Sequence, residues 1–115
     1  MNIKIVKDKI STAELKEISK EFYVSMVKGV VDIENEIMAL GGEYHIDANG
    51  VLIMEGSKQS DIWGFNIVFE RSRDSWIEYI SLINIRPQVG NMDMEVQDNL
   101  IRDKMKKIIN SKIYD

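Results

Sequence analysis

The sequence predicts an α+β fold in which a long N-terminal helix, continuous or broken, and a C-terminal helix pack on an antiparallel β-meander. Three observations predict it. Apolar residues keep helical spacing from Thr12 to Leu40, turn signals divide residues 43–86 into strand-like segments, and a second helical stripe runs from Val96 to Ile109.

Asn2 to Val6 alternates and is rich in β-branched residues, which suits a short first strand. Ser11 followed by Glu14 reads as a capping box, with Ile10 and Leu15 placed to staple the first turn of a helix. Beyond it Leu15, Ile18, Phe22, Met26, Ile33, Ile37 and Leu40 form the stripe, and Lys16, Glu17, Lys20 and Lys28 lie off it. One helix over that span would run about 43 Å, against a diameter of roughly 35 Å for a globule of this size. Gly29 is the natural break, and Gly41-Gly42 the natural C-cap.

Asn49-Gly50 asks for a type I′ hairpin turn, pairing Ala48 with Val51, Ile46 with Ile53 and His45 with Met54. After a polar loop at residues 55–61, Ile62–Glu70 and Trp76–Arg86 read as a second hairpin. With Glu70 opposite Trp76, its odd positions Trp63, Phe65, Ile67 and Phe69 make an apolar core face. Pro87 ends that strand because it lacks a ladder donor, and Asp93 is placed to cap the last helix. Both hairpins carry large apolar residues on their second face as well. An antiparallel sheet with one solvated face would be more polar there, so that face should be covered by a helix or by a second subunit. A homodimer is the expected assembly.

The length of 115 residues suits a single domain spanning 1–115, and 44% apolar with 30% charged residues is ordinary globular composition. A net charge of −4 counts against a surface that grips nucleic acid through many phosphates. The basic end of the last helix, Arg102 to Lys112, is accounted for by the helix dipole. The absence of cysteine excludes disulfides, thiolate zinc sites and a cysteine nucleophile. No run of about 20 apolar residues could cross a bilayer as a helix. A cytoplasmic protein is expected, with no membrane partner and no cofactor.

Glu43, His45 and Asp47 recur with period two, so a strand would set all three on one face, and an imidazole beside carboxylates is suited to proton transfer or to a divalent cation. Same-face residues on a strand stand roughly 7 Å apart, too far to chelate without outside ligands, and a half-exposed polar face is the simpler account. Asp32, Glu34 and Glu36 could bind a cation but read more simply as a solvated helix face. Lys58, in the loop Gly56-Ser57-Lys58-Gln59-Ser60, could hold an anion, although the loop lacks the P-loop pattern. Arg86, with Asn66 and Asn84 on the same mixed face, could clamp a carboxylate or phosphate; a salt bridge to Glu78 or Glu70 is the simpler reading. Trp63 and Trp76 carry no stacking motif and read as packing residues.

The stretches Glu21-Phe22-Tyr23 to Ile37-Met38-Ala39, Gly41 to Asp47, Gly56-Ser57-Lys58-Gln59, Ile62 to Ile67 and Ile83-Asn84-Ile85-Arg86-Pro87 resemble a family of short prokaryotic proteins known only as a domain of unknown function. The resemblance implies a single stand-alone domain and supplies no reaction and no functional residue. It also implies a more basic loop after the Arg-Pro pair. Here Gln88 to Met94 has no lysine or arginine, which removes support for anion binding by that loop.

The functional expectation is a small non-catalytic binding or assembly protein that self-associates. The alternative is a small, metal-dependent enzyme built around Glu43, His45, Asp47 and Arg86.

Overall fold

The computed structural model describes residues 1–115 as a mixed α+β domain. Its centre is a five-stranded antiparallel sheet in the order β1-β4-β3-β5-β6, made of β1 (Lys4–Val6), β3 (Met26–Asp32), β4 (Ile37–Leu40), β5 (Ile62–Val68) and β6 (Ile77–Glu78). Helices α1 (Thr12–Ser19) and α3 (Asn99–Lys112) lie on one face and α2 (His45–Met54) on the other. A second, two-stranded parallel sheet joins β2 (Ile10–Ser11) to β7 (Ile113–Tyr114) and ties the C-terminus to the start of α1.

At the N-terminus the Ser11 cap and the staple pair form, while the Glu14 carboxylate pairs with Lys4 at 3.2 Å rather than closing the box. Ser11 Oγ accepts from the Glu14 N–H at 3.1 Å, and Ile10 and Leu15 are both buried in the main core. Asp98, rather than Asp93, caps α3: its carboxylate accepts from the N–H groups of Leu100 and Ile101.

The long N-terminal helix does not form. It ends at Ser19, and residues 26–40 are the hairpin of β3 and β4. The reason lies in burial. β3 is the central strand and is buried on both faces, Val27 and Val31 against α1 and α3, Val30 against α2. A strand apolar on both sides has no alternation to read, and its residues also fit a helical stripe. Gly29 is therefore a packing residue: a Cβ there would stand 2.5 Å from the ring of Phe65 and 2.7 Å from Leu40. Asp32 closes the turn. Fully buried, it accepts from the N–H groups of Glu34 and Asn35, from the Asn35 carboxamide, and from Ser57 Oγ at 2.6 Å. Burial pushes its pKa up, but these hydrogen bonds outweigh it and hold the carboxyl below its ordinary value. Gly41 and Gly42 follow a strand, with φ of 116° and 92°, and a Cβ at Gly41 would lie 2.3 Å from the Asn2 carbonyl.

The second hairpin is present but two residues out of the expected register, with Ile67 opposite Ile77 and Asn66 opposite Glu78. An even shift preserves the faces, so Trp63, Phe65 and Ile67 do line the main core. Beyond Glu78 the expected strand is replaced by side chains. The Asn84 carboxamide accepts from the Gly64 N–H at 2.8 Å and donates to its carbonyl at 3.0 Å, as a strand residue would. The Arg86 guanidinium continues the edge, donating to the carbonyls of Ile62 at 2.7 Å and Ser60 at 3.2 Å. Asn91, also buried, gathers the loop through donations to the carbonyls of Asn84, Asp93 and Glu95.

Candidate functional site

The site is organised by α2, where a hairpin was expected. The buried residues of α2 are His45, Ala48, Asn49 and Leu52, a helical i, i+3, i+4, i+7 stripe in which two members are polar. Its outward stripe is Ile46, Gly50, Ile53 and Met54, all exposed and none polar. The helix is thus partly inverted, and tertiary bonds stabilise the inversion. Asn49 and Gln59 exchange two carboxamide hydrogen bonds at 2.7 and 2.8 Å, which fixes Asn49 in a helix and overrides its turn preference beside Gly50. Asp47 Oδ2 accepts from the Tyr44 N–H at 3.0 Å and closes the N-terminal turn.

α2 covers only part of its side of the sheet, packing Ala48 and Leu52 on Val30, Ala39 and Ile62. Over the uncovered part opens a cleft of about 310 Å³, walled by Tyr44, the N-cap residue of α2, by Ile46 of α2, by Ile80, Leu82 and Ile83, and by Met94. Lys28, His45 and Asn66 bring nitrogen and oxygen atoms to this otherwise apolar space.

His45 is buried, and its Nε2 lies 2.8 Å from the Phe65 carbonyl oxygen. A carbonyl only accepts, so Nε2 carries the proton and Nδ1 keeps its lone pair at neutral pH. Burial lowers the pKa of His45 to about 4; Lys28 adds to the effect, while the Phe65 carbonyl and the Asn66 carboxamide oppose it. The ring is a neutral hydrogen-bonding group and a weak base at pH 7.

Lys28, Asn66 and Glu78 are cross-strand partners in one row over β3, β5 and β6. Glu78 pairs with Arg71 at 3.0 Å and accepts weakly from Asn66 Nδ2 at 3.3 Å. Lys28 has no salt bridge; its ammonium lies 5.2 Å from the centroid of the Tyr23 ring, and burial lowers its pKa against the opposing charge of Glu78. Asn66 Nδ2 also faces the Ile80 carbonyl at 3.5 Å. Both Nδ2 contacts are acceptors, the His45 ring lies beside the same carboxamide, and Oδ1 is left buried without a hydrogen-bond partner.

Among the residues singled out in the sequence, the cleft unites His45 and Asn66 alone. In a helix His45 and Asp47 point about 200° apart, and no group of three or more His, Asp or Glu side chains is gathered to hold a metal ion. Glu43 precedes α2, its carbonyl accepting from Tyr23 Oη at 2.7 Å. Arg86 is buried against Trp63, 4.2 Å from the ring centroid, with its donors on backbone carbonyls; Glu78 bonds Arg71 instead. Asn84 is buried on the same strand edge, and Lys58 stands exposed before the turn Gln59–Asp61. Lys28, Ser81 and Met94 line the cleft without any sequence signal, since only the register of β3 on β5 and the course of the 80–94 loop bring them there.

Fold and site together define an α+β domain with a largely apolar cleft between a helix and an antiparallel sheet. Residues 4–112 match a family described as "Protein of unknown function (DUF5674)", and the chain belongs to that family. No curated protein and no solved structure matches it.

Proposed function

We propose that the protein is a non-catalytic binding and assembly protein that self-associates through the outward face of α2. The observation that carries this reading is that α2 is apolar on its outer side, where a surface helix is ordinarily polar. Tyr44 and Ile46 are each 60% exposed, Met54 89% and Leu82, across the cleft, 71%. Side chains of this size present apolar surface on the order of several hundred Å², the scale at which exposed patches in monomers mark interaction sites.

Gly50 points to a second copy of α2 as the partner. It lies mid-helix, exposed, with no atom within 4 Å of where a Cβ would stand, so nothing within the chain requires glycine. Glycine costs about 1 kcal/mol there relative to alanine. At the centre of an apolar stripe it lets two helices cross more closely than the usual separation of about 8–10 Å, and a two-fold axis through this point makes the face self-complementary. Work in the cytoplasm of a prokaryote is part of the same reading, carried by the resemblance to short prokaryotic proteins.

Light scattering on the wild type and on Met54→Lys tests it. Met54 is 89% exposed, so the substitution leaves the fold intact. The wild type is expected to approach twice the mass of one 13.3 kDa chain as concentration rises, and the variant to stay at that of one chain. A wild type that stays monomeric throughout, or a variant that associates equally well, overturns the reading.

A further inference from the structure

The cleft beside α2 has a polar end and an apolar body, and the polar end lacks two partners. The geometry points to a small organic carboxylate as its ligand: the carboxylate pairs with Lys28, an N–H or O–H on the neighbouring carbon donates to Asn66 Oδ1, and an apolar substituent lies along Ile46, Ile80 and Leu82. Three independent features meet in this assignment. Asn66 is only 6% exposed and its Oδ1 has no hydrogen-bond partner in the protein. A buried acceptor without a donor is rare in folded chains; a small rotation of the carboxamide, whose Nδ2 contacts are long at 3.3 and 3.5 Å, turns Oδ1 toward a ligand N–H or O–H in the cleft. Lys28, its cross-strand neighbour, has no carboxylate within salt-bridge distance and only the Tyr23 ring, 5.2 Å to its centroid, beside its ammonium, while Glu78, the acidic group that acts on it, is engaged by Arg71. The positive charge at this end of the cleft is therefore open to an anion.

The volume of about 310 Å³ sets the size. It lies at the lower end of the roughly 300–1,000 Å³ range of ligand pockets, which suits a molecule of the size of an N-acylated apolar amino acid. His45 serves as a positioning residue: anchored on the Phe65 carbonyl, it walls the cleft and stays uncharged, so it adds no second cation.

Binding of N-acetyl-leucine to the full chain, followed by calorimetry and by amide NMR shifts, tests the assignment. Its methyl ester removes the anion, and 4-methylpentanoate removes the N–H. The parent compound is expected to bind saturably and to shift residues 28, 45, 66 and 80–83, with each analogue weaker by tenfold or more. Lys28→Met should lower affinity for N-acetyl-leucine by tenfold or more and abolish the preference over the ester. Asn66→Leu should abolish the preference over 4-methylpentanoate. If Asn66→Leu does not fold, the Lys28→Met result decides. No saturable shift at the cleft, or equal binding of acid and ester by the wild type, overturns the proposal. Ile46 and Leu82 belong to both surfaces, so the two readings are separated in dilute protein, where Met54→Lys, outside the cleft, should bind the probe as the wild type does.

Discussion

At the scale of single residues, hydrogen bonding explains what charge and spacing left open. His45 is the clearest case. Its position among Glu43 and Asp47 in the sequence suggests an acid–base group, yet in the fold its Nε2–H is held by a backbone carbonyl and its pKa falls to about 4. The charged form is disfavoured only in the folded state, so the unfolded chain takes up the proton first as pH falls. The stability contributed by neutral His45 is present in full above its ordinary pKa of 6.5 and is lost as pH drops from 6.5 toward 4. The loss expected from a shift of this size is about 3 kcal/mol at one pKa unit per ~1.4 kcal/mol. Urea unfolding at a series of pH values checks this. The wild type should show that decline and His45→Gln should lack it; parallel curves for the two proteins would contradict the assignment. Arg86 is a similar lesson. Its proximity in sequence to Pro87 and Asn84 suggests a clamp, but its guanidinium stands in for strand backbone along the β5 edge.

At the scale of elements, some segments were legible and others were not, for a common reason. The Ser11 cap and the apolar odd positions of β5 can be read from the chain because each has a polar side and an apolar side, or a local hydrogen bond, that identifies it. β3 cannot, because burial on both faces removes its period of two. α2 cannot, because two of its inward positions are polar and its outward ones are apolar, which reverses the pattern that identifies a surface helix. Asn49-Gly50 adds a turn signal that the Asn49–Gln59 pair overrides. The same helix yields a prediction with opposite signs in its two parts. Gly50→Ala should raise the stability of the dilute monomer by about 1 kcal/mol through helix propensity. It should also weaken self-association by roughly tenfold, about 1.4 kcal/mol, because a methyl group is placed where the helices cross. Thermal denaturation of dilute protein and sedimentation equilibrium measure the two effects. Unchanged association would remove the close crossing.

At the scale of the whole molecule, the sheet has one face closed and one face half closed. α1 and α3 seal the first through the large core of Leu15, Phe65, Trp63, Met105 and Ile109. α2 covers part of the second, leaving a cleft on one side of itself and an apolar ridge on its back. The apolar residues on both sheet faces were visible in the sequence; which of them a helix covers depends on where α2 sits, which sequence patterning does not specify. The account therefore rests on what meets the back of α2, and cross-linking measures it most directly. The chain has no cysteine, so Gly50→Cys introduces a single thiol at the centre of the ridge. Two such thiols can join only where the Cα atoms approach to roughly 4.4–6.8 Å. Because a side chain at position 50 weakens the crossing, the oxidation is run at concentrations about tenfold above those that dimerise the wild type; there Gly50→Cys should form a disulfide-linked dimer, while a control thiol at the exposed Lys104 of α3 should not. A Gly50→Cys protein that remains monomeric under oxidation, or that cross-links no faster than Lys104→Cys, would contradict self-association through α2.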